Sequence, residues 1–401
     1  MSGVPEKARF FLERAVPQLR EFEAKGIFTP EEIRNLVRKR TDFEHLVLSP
    51  GNKPQDWLNY AAWEKSLESL RAKRCRRLQV RNSTTHAGTG RIFSILERAV
   101  NRHPADVTLW KEYLTYANAL KATKRYRKIM TRALRMHPAK PDLWTMAGRR
   151  AAANSDMQSA RNFFMRGTRF CTRDATVWLE YARCEMEWLQ NMEARKSKKG
   201  GAEKAIKEQG EQTDDMIEFD EDDSDNDGDE DGQLVIPDAD RAAGSKKTIS
   251  AAEEEKLKSN PALDGAIPLA IFDISRKQPF FRAATAEQFF LVFAPFNSVA
   301  SQQRILQHVL DTMTEAYPND PSTAYCFVQQ PLVGSEPSSP TYPKALREAL
   351  VRLKTSLQTT TNQKLLAEKV TAWIESVLQV EDLDSGIRTV LEHTLRTLPK
   401  S

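Results

Sequence analysis

The sequence has few of the residues that catalysis and metal binding require. Only four cysteines occur among 401 residues, and none belongs to a Cys-x-x-Cys pair, which argues against zinc and fits a reducing compartment. The six histidines are scattered, and none stands at metal-ligand spacing from a cysteine or a carboxylate. From these absences we expect no metal, no cofactor and no catalytic residues.

Phosphate-binding loops and long apolar runs are lacking as well. Gly88-Thr89-Gly90 has neither the third glycine nor the preceding strand of a dinucleotide fingerprint, so we interpret it as a turn. The longest apolar run, Phe289 to Phe296, is too short to span a bilayer. Glu6, Lys7 and Arg9 stand where a secretory signal would have its apolar core. We therefore expect an intracellular protein without a membrane segment.

What the sequence does contain is a repeat with a period of 34 residues. Three tryptophans keep this interval, and a small residue further along each unit keeps it too: Trp110, Trp144 and Trp178, with Ala99, Ala133 and Gly167. A unit of this length cannot bury its own apolar face and becomes stable only when it stacks on neighbouring units. Function in such an array is usually carried by its surface.

Each unit divides into two predicted helices. The first carries Trp-x-x-Tyr, which places two aromatic rings on one helical face. The second carries Arg followed by Ala or Gly, and His103-Pro104 and His137-Pro138 end it because proline cannot continue a helix. This pattern predicts an all-α, TPR-like helical-repeat solenoid. The predicted repeat core is Trp57, Tyr60, Trp110, Tyr113, Trp144, Trp178 and Tyr181.

The repeat resembles the HAT (half-a-TPR) repeat of RNA-processing assemblies. The resemblance rests on Trp-x-x-Tyr with a glutamate seven residues after the tryptophan, as in Trp57, Tyr60 and Glu64 and again in Trp178, Tyr181 and Glu185. Because Glu64 and Glu185 recur at one repeat position, we expect a structural ion pair or cap there. Other copies depart from the pattern: Ala117 and Ala151 replace the glutamate, Ala147 replaces the tyrosine, and Cys171-Thr172 replaces His-Pro.

The N-terminal segment is similar to the family of the sixth U-three small nucleolar RNA-associated protein. The matching residues are Leu12-Glu13, Pro17, Leu19, Glu23, Gly26-Ile27-Phe28, Glu32-Ile33, Lys39-Arg40, Asp42-Phe43-Glu44, Trp63-Glu64, Leu67, Leu70-Arg71 and Arg74. The resemblance implies a HAT solenoid without catalytic activity in the small-subunit processome of the nucleolus. It also implies WD-repeat propeller neighbours, and contact with U-three small nucleolar RNA and pre-ribosomal RNA, directly or through partners.

Positive charge is concentrated in the first half of the chain. Residues 1–190 contain 36 Lys and Arg against 20 Asp and Glu, although the whole chain has a net charge of only +5. Most of the excess lies in two runs, which are the candidate contacts for RNA phosphates or for an acidic protein partner: Arg71, Lys73, Arg74, Arg76, Arg77 and Arg81, then Lys121, Lys124, Arg125, Arg127 and Lys128. A solvated face is the alternative. No stacking aromatic interleaves with the runs, which favours a protein partner.

Negative charge is concentrated in an acidic run between Asp214 and Asp231. Such a run repels itself and buries too little apolar surface to fold, so it predicts a disordered loop. Trp178 to Glu187 reads as a first helix and Ile267 to Ser275 as the second, so the run interrupts one repeat. Ser224 within it is a candidate phosphosite for an acidophilic kinase.

These patterns predict five segments. They are an N-terminal helical segment (1–50), HAT repeats (51–190), a charged insertion (191–262), degenerate HAT repeats (263–330), and a proline-rich loop with C-terminal capping helices (331–401). In the last two segments, Ala286 to Phe293, Ser301 to Tyr317, Ala345 to Leu357 and Gln363 to Val380 are the predicted helices. Capping is expected because an open end of a repeat array exposes core side chains.

Two functional hypotheses follow for the array. The first is a non-catalytic scaffold of the small-subunit processome, distinguished by the N-terminal Phe28, Lys39-Arg40 and Asp42-Phe43-Glu44 block. The second is a HAT scaffold of spliceosomal or mRNA 3′-end machinery, for which that block is unneeded. A third, an enzyme that binds metal through the acidic run, is disfavoured because a disordered run gives no fixed coordination.

Overall fold

The computed structural model describes residues 4–80, 85–202, 264–380 and 383–399, and within these ranges it contains helices and no strand. The predicted fold class, an all-α repeat of the HAT/TPR type, is confirmed. Among the described helices, none combines the length and apolarity that a bilayer span needs. The acidic run and Ser224 lie outside the described residues, as does Arg81. The chain groups into two compact units, Met1–Pro138 and Ala139–Ser401.

The first unit contains seven described helices. They are α1 (Val4–Glu13), α2 (Val16–Ala24), α3 (Pro30–Leu48), α4 (Pro54–Leu78), α5 (Thr85–Arg102), α6 (Val107–Ala119) and α7 (Thr123–Met136). Helix α3 begins at a capping box, in which the Thr29 hydroxyl accepts from the Glu32 N–H and the Glu32 carboxylate accepts from the Thr29 N–H. Proline at the first position of α3 and α4 costs no hydrogen bond there.

The second unit contains ten described helices. They are α8 (Pro141–Ala153), α9 (Met157–Phe170), α10 (Thr176–Ala202), α11 (Ala266–Ser275), α12 (Ala283–Phe293), α13 (Gln302–Ala316), α14 (Pro321–Gln329), α15 (Tyr342–Thr359), α16 (Gln363–Leu378) and α17 (Ser385–Thr397). Helix α10 packs on both α11 and α12, so the two helices predicted to flank the acidic run lie against each other. Helices α14 to α17 share one apolar core around Leu353, Leu366 and Val370.

In two repeats of the first unit, the histidine at the end of the second helix and the tryptophan of the first helix contact the same oxygen atom. The carbonyl oxygen of Pro104 accepts from Trp110 Nε1 at 2.9 Å and lies 2.7 Å from His137 Nε2. The side-chain oxygen of Asn52 accepts from Trp57 Nε1 at 3.1 Å and also contacts His103 Nε2. The His-Pro motif therefore does more than end a helix, because its histidine shares an acceptor with the tryptophan that begins the same repeat.

The arginine of the Arg-Ala motif lies over the same tryptophans. The Arg98 guanidinium lies 5.5 Å from the ring centre of Trp57, and that of Arg132 lies 5.4 Å from Trp110. The small residue that follows has a separate role, because a Cβ on Gly167 would lie 2.9 Å from Trp144 Cβ. Residues of the 34-residue pattern thus make two kinds of contact between paired helices: a cation over a ring at Trp57 and Trp110, and a close backbone approach at Gly167.

Several predicted helix positions are confirmed, two helices were not predicted, and the interpretation of one glycine-containing segment as a turn is wrong. The predicted helices beyond residue 263 correspond to α11, α12, α13, α15 and α16 with ends shifted by up to three residues, while α14 and α17 were missed. Gly88-Thr89-Gly90 is not a turn, because it lies inside α5. At its first glycine α5 lies close to α4: a Cβ on Gly88 would overlap the Glu68 carboxylate, which is the end of a flexible side chain and would have to shift.

Candidate partner-binding surface

A buried ion pair joins α3 to α4. The Arg40 guanidinium donates to the two Glu64 carboxylate oxygens at 2.7 and 3.0 Å, and the side chains are 1% and 2% exposed. The same arrangement occurs in the second unit, where Arg161 donates to Glu185 at 2.6 and 2.8 Å. The predicted structural ion pair at Glu64 and Glu185 is confirmed. In both cases the arginine precedes the glutamate by 24 residues, a spacing in the sequence that could have identified the partner.

A second buried carboxylate, that of Glu44 on α3, extends this network to α5. It accepts from the Tyr60 hydroxyl at 2.9 Å and from two nitrogens of Arg98 at 2.8 and 2.9 Å. The Arg98 guanidinium also lies 3.8 Å from the ring centre of Phe11 on α1. Burial, followed by the negative charges of Glu44 and Glu64, raises the pKa of Tyr60. The network therefore ties α1, α3, α4 and α5 together through charged groups that are largely removed from water.

Arg91 lies beside this network but takes no part in its hydrogen bonds. Its side chain is half-buried on α5, and its Nε atom is buried without an acceptor among the described residues. Burial, followed by the positive charge of Arg40, lowers the pKa of Arg91, and the negative charges of Glu64 and Glu44 offset part of this effect. Sequence reasoning missed Arg91, because an isolated arginine at the start of a helix carries no periodic signal.

Two members of the first basic run serve the fold. Arg71 is 5% exposed and donates to the Glu68 carboxylate at 3.0 Å. Arg74 donates to both oxygens of Glu32 at 2.7 Å and to the Ile27 carbonyl at 3.1 Å. The hydrogen bonds from Arg74 and from the Thr29 N–H lower the pKa of Glu32 to about 2. The Arg74 bonds fasten the end of α4 to the N-terminal segment, and the Arg71 bonds stay within α4, so carboxylates of the chain itself engage both guanidinium groups.

The other described members of the first run are free for contact. Lys73, Arg76 and Arg77 are exposed on the last turns of α4, not between helices as the sequence suggested. None of the three makes an ion pair or side-chain hydrogen bond within the part of the chain that the structure describes. Together they form one end of the surface that the sequence predicts to bind RNA or an acidic partner.

The second basic run lies at the beginning of α7 in the same unit. Lys121, Lys124, Arg125 and Lys128 are exposed, and Arg127 is half-buried. The Arg125 guanidinium lies 4.7 Å from the ring centre of Phe93, which is buried. Helix α7 has six basic residues and no acidic residue in fourteen positions, so every charged side chain that the helix itself supplies is positive.

Side-chain contacts connect the helices that carry the two runs. Lys65 of α4 pairs with Glu112 and lies 4.9 Å from the ring centre of Tyr116, both on α6. Tyr116 lies 4.9 Å from Phe93 of α5, over which Arg125 of α7 is placed. The aromatic residues near the basic runs therefore already carry cations of the chain itself.

The predicted repeat-core residues are all buried. Relative exposure does not exceed 8% for any of Trp57, Tyr60, Trp110, Tyr113, Trp144, Trp178 and Tyr181. Trp178 is unusual because its Nε1 atom has no acceptor among the described residues. Its repeat follows Cys171-Thr172, whereas Trp110 follows His103-Pro104 and donates to the Pro104 carbonyl.

Within the described ranges, no group of three histidine, cysteine or carboxylate side chains is placed to hold a metal ion. No disulfide joins any two of the four cysteines, all of which lie in the described ranges. Burial raises the pKa of Cys171 to about 11 and that of Cys184 to about 12, so both thiols stay protonated at neutral pH. What the described residues offer is a charged surface for recognition.

Comparison with known proteins identifies two family models along the chain. The model for U3 small nucleolar RNA-associated protein 6 matches residues 12–98, and the model for the PRP39 N-terminal HAT repeat matches residues 94–216. The first range covers Arg40, Glu44, Glu64 and Arg91, and reaches Arg98, so it contains the buried network. The second covers the repeats with the 34-residue period.

Individual relatives agree with the first family model. U3 small nucleolar RNA-associated protein 6 of Schizosaccharomyces pombe is 34% identical over 194 residues, which is 47% of this chain and 40% of that protein. The human homolog is 28% identical over 193 residues, 46% of this chain and 32% of its own length. The mouse homolog is 27% identical over 203 residues, 50% and 34% of the respective chains. The match therefore spans less than half the length of these relatives.

Proposed function

From the resemblance to the U3 small nucleolar RNA-associated protein 6 family, whose model matches residues 12–98 and one of whose members is 34% identical over 194 residues, we propose that this protein is a non-catalytic scaffold of the small-subunit processome. In this role it supports pre-ribosomal RNA processing in the nucleolus by holding protein subunits, among them WD-repeat propeller proteins. The observation that carries the proposal is the coincidence of the matched residues 12–98 with the helices joined by the Arg40, Glu44 and Glu64 network.

We further propose that the exposed basic residues contact an acidic protein partner. Lys73, Arg76 and Arg77 on α4 and the exposed lysines of α7 have no acidic neighbours to neutralise them within the described residues. Their field attracts an acidic segment and raises its rate of association. The aromatic rings nearby lie under Lys65 and Arg125, so a base would have to displace a cation in order to stack there.

Affinity purification of the tagged chain followed by RNA sequencing tests the assembly. We expect enrichment of U3 small nucleolar RNA and of small-subunit ribosomal RNA precursors. Enrichment of spliceosomal RNA or of mRNA 3′-end factors instead would support the alternative scaffold role. Glu64→Gln, which disrupts the buried network, is expected to reduce both U3 RNA recovery and folded protein, so recovery is compared at equal amounts of folded chain.

Charge variants test whether the basic runs contact protein or RNA. The test variant replaces Lys73, Arg76, Arg77, Lys121, Lys124 and Lys128 with Gln; the control replaces the exposed Lys344, Lys354 and Lys364 of the second unit. We expect the test variant to lose co-purifying subunits, whereas the control keeps them. Tight RNA binding by the purified, unaltered chain would contradict the protein-contact proposal if the test variant also changed its salt dependence. In that case the slope of log affinity against log salt concentration would flatten by about 0.7–0.9 for each contact removed.

A further inference from the structure

The network around Tyr60 contains more positive than negative groups. Three guanidinium groups and two carboxylates meet at the junction of α3, α4 and α5: Arg40, Arg91 and Arg98, with Glu44 and Glu64. Each carboxylate forms a two-point pair with one arginine, Glu64 with Arg40 and Glu44 with Arg98. Arg91 is the arginine left over, and its charge is not balanced by a pair.

Donors of the network also lack acceptors. Arg40 Nη1, Arg91 Nε and Arg98 Nε are buried without a hydrogen-bond acceptor among the described residues. Arg91 makes no hydrogen bond or ion pair with any of those residues. A buried donor without an acceptor costs stability, and an unpaired charge costs more. Such groups indicate either a weak point of the fold or a site that another molecule completes.

The structure favours a site that is completed by a ligand. Arg91 is half-buried, so the side chain reaches the surface instead of being sealed in the core. Its positive charge, together with that of Arg40, gives the junction a net positive charge that one anion would neutralise. Because burial and Arg40 lower the pKa of Arg91, binding an anion there relieves an unfavourable arrangement already built into the fold.

We propose that Arg91 is a binding site for a carboxylate side chain in an acidic segment of a partner protein, with Arg40 adding positive charge to the site. The inference goes beyond the scaffold role proposed above and does not depend on which ribonucleoprotein the chain joins. A planar guanidinium binds a carboxylate through two parallel hydrogen bonds. The chain itself uses that geometry for Arg40, Arg98 and Arg161.

A carboxylate fits this site better than an RNA strand. The cluster has one positive charge more than Glu44 and Glu64 balance, and one carboxylate neutralises that excess through the two-point geometry already used by Arg40 and Arg98. The aromatic rings at the junction are engaged with one another: Phe43 is stacked on Tyr60 at 5.0 Å and contacts Trp63 at 5.5 Å. They do not form the open stacking platform that single-stranded RNA uses.

Fluorescence anisotropy with a labelled six-glutamate peptide tests the site on the full chain. We expect saturable binding that Arg91→Gln weakens by about tenfold or more, as the loss of a charged two-point contact predicts. Arg102→Gln is the matched control, because Arg102 is exposed on the same helix and the variant removes the same charge. That control is expected to change affinity by less than about twofold.

Four outcomes overturn the proposal. The first is absence of peptide binding, and the second is an equal loss of peptide affinity in Arg91→Gln and Arg102→Gln. The third is displacement of the peptide by an unstructured RNA oligonucleotide at a lower concentration than by unlabelled peptide. The fourth is a lower thermal midpoint for Arg91→Gln. The last outcome separates the two roles of an arginine. If Arg91 stabilised the fold, its loss would lower the midpoint; as an unpaired charge kept for binding, its loss leaves the midpoint unchanged or raises it.

Discussion

At the scale of single residues, buried carboxylates hold the helices of this protein in place. Glu44, Glu64 and Glu185 are each 1–2% exposed and each accepts a two-point bond from arginine. Removing one partner leaves a buried charge that neither water nor protein compensates, which costs more than the pair itself contributes. The position seven residues after Trp110, where two other repeats have the glutamate, is Ala117. The position 24 residues before it, where those repeats have the arginine, is Phe93, and both residues are buried.

Glu64→Gln is expected to lower the free energy of unfolding by about 3–5 kcal/mol, because Arg40 then remains charged and buried without a carboxylate. Chemical denaturation measures the change. Glu13→Gln, which breaks the exposed Arg9–Glu13 pair, is the control and should leave the midpoint unchanged. Replacing both partners, as Arg40→Met with Glu64→Leu, should restore much of the loss. If Glu64→Gln alone has no effect, the pair is not buried in solution.

At the scale of elements, the helix pairs depend on small residues where backbones approach and on tryptophans that fill the space between them. Gly167 of α9 lies against Trp144 and Val177, and a Cβ would come within 3.0 Å of both. Gly90 of α5 is exposed, and a Cβ there would meet nothing within 4 Å. Glycine is therefore required by packing in one helix and not in the other.

These two glycines give opposite predictions for the same substitution. Gly167→Ala should destabilise the protein by about 1–3 kcal/mol, since the atom that it meets, Trp144 Cβ, is held by the backbone and cannot move away. Gly90→Ala should stabilise by roughly 0.5–1 kcal/mol, because alanine loses less backbone entropy in a helix. Thermal or urea unfolding distinguishes them. A shift of the same sign for both would show that helix propensity, not close packing, dominates.

Trp110→Ala tests the repeat core. Trp110 is fully buried, donates to the Pro104 carbonyl and lies under the Arg132 guanidinium. Its truncation is expected to cost about 3–5 kcal/mol and to weaken the adjacent repeats, because neighbouring units support one another. The readout is the denaturation midpoint, with the exposed Thr115→Ala on the same helix as control. A midpoint equal to that of the unaltered chain would contradict the assigned register.

At the scale of the whole molecule, contacts within the second unit join the described residues that precede and follow the acidic run in the sequence. Helix α10 packs on α11 and α12, the Glu193 carboxylate accepts from the Ala300 N–H at 3.0 and 3.2 Å, and Gln190 donates to Ser298 at 3.1 Å. The hydrogen bonds of Glu193 and Gln190 join residues more than one hundred positions apart. They form between parts of the chain on either side of the acidic run, and none of their atoms belongs to it.

Deleting Gly200 to Ser245 is therefore expected to leave helicity and the thermal midpoint nearly unchanged. The deleted residues supply none of the described contacts that join α10 to α11, α12 and Ala300, and loop length has a small effect on closure entropy. Circular dichroism measures both quantities. Deleting the equally long segment from Ala283 to Val328, which removes buried helices, is the control and should abolish cooperative unfolding. Loss of much of the helical signal in the first variant would show that the deleted residues fold.

The sequence by itself determined the repeat and its helix pairs, because large, small and helix-ending residues recur at a spacing of 34 residues. It also predicted a structural ion pair or a cap at Glu64 and Glu185, since both stand at one repeat position, and the structure showed that both form ion pairs. Only the tertiary structure decided which basic residues are available. Arg71 and Arg74 are indistinguishable from Arg76 and Arg77 in the sequence, yet Glu68 and Glu32 engage the first two. Arg91 became visible for the same reason: a missing partner is a property of three-dimensional neighbours, and the order of residues along the chain does not contain it.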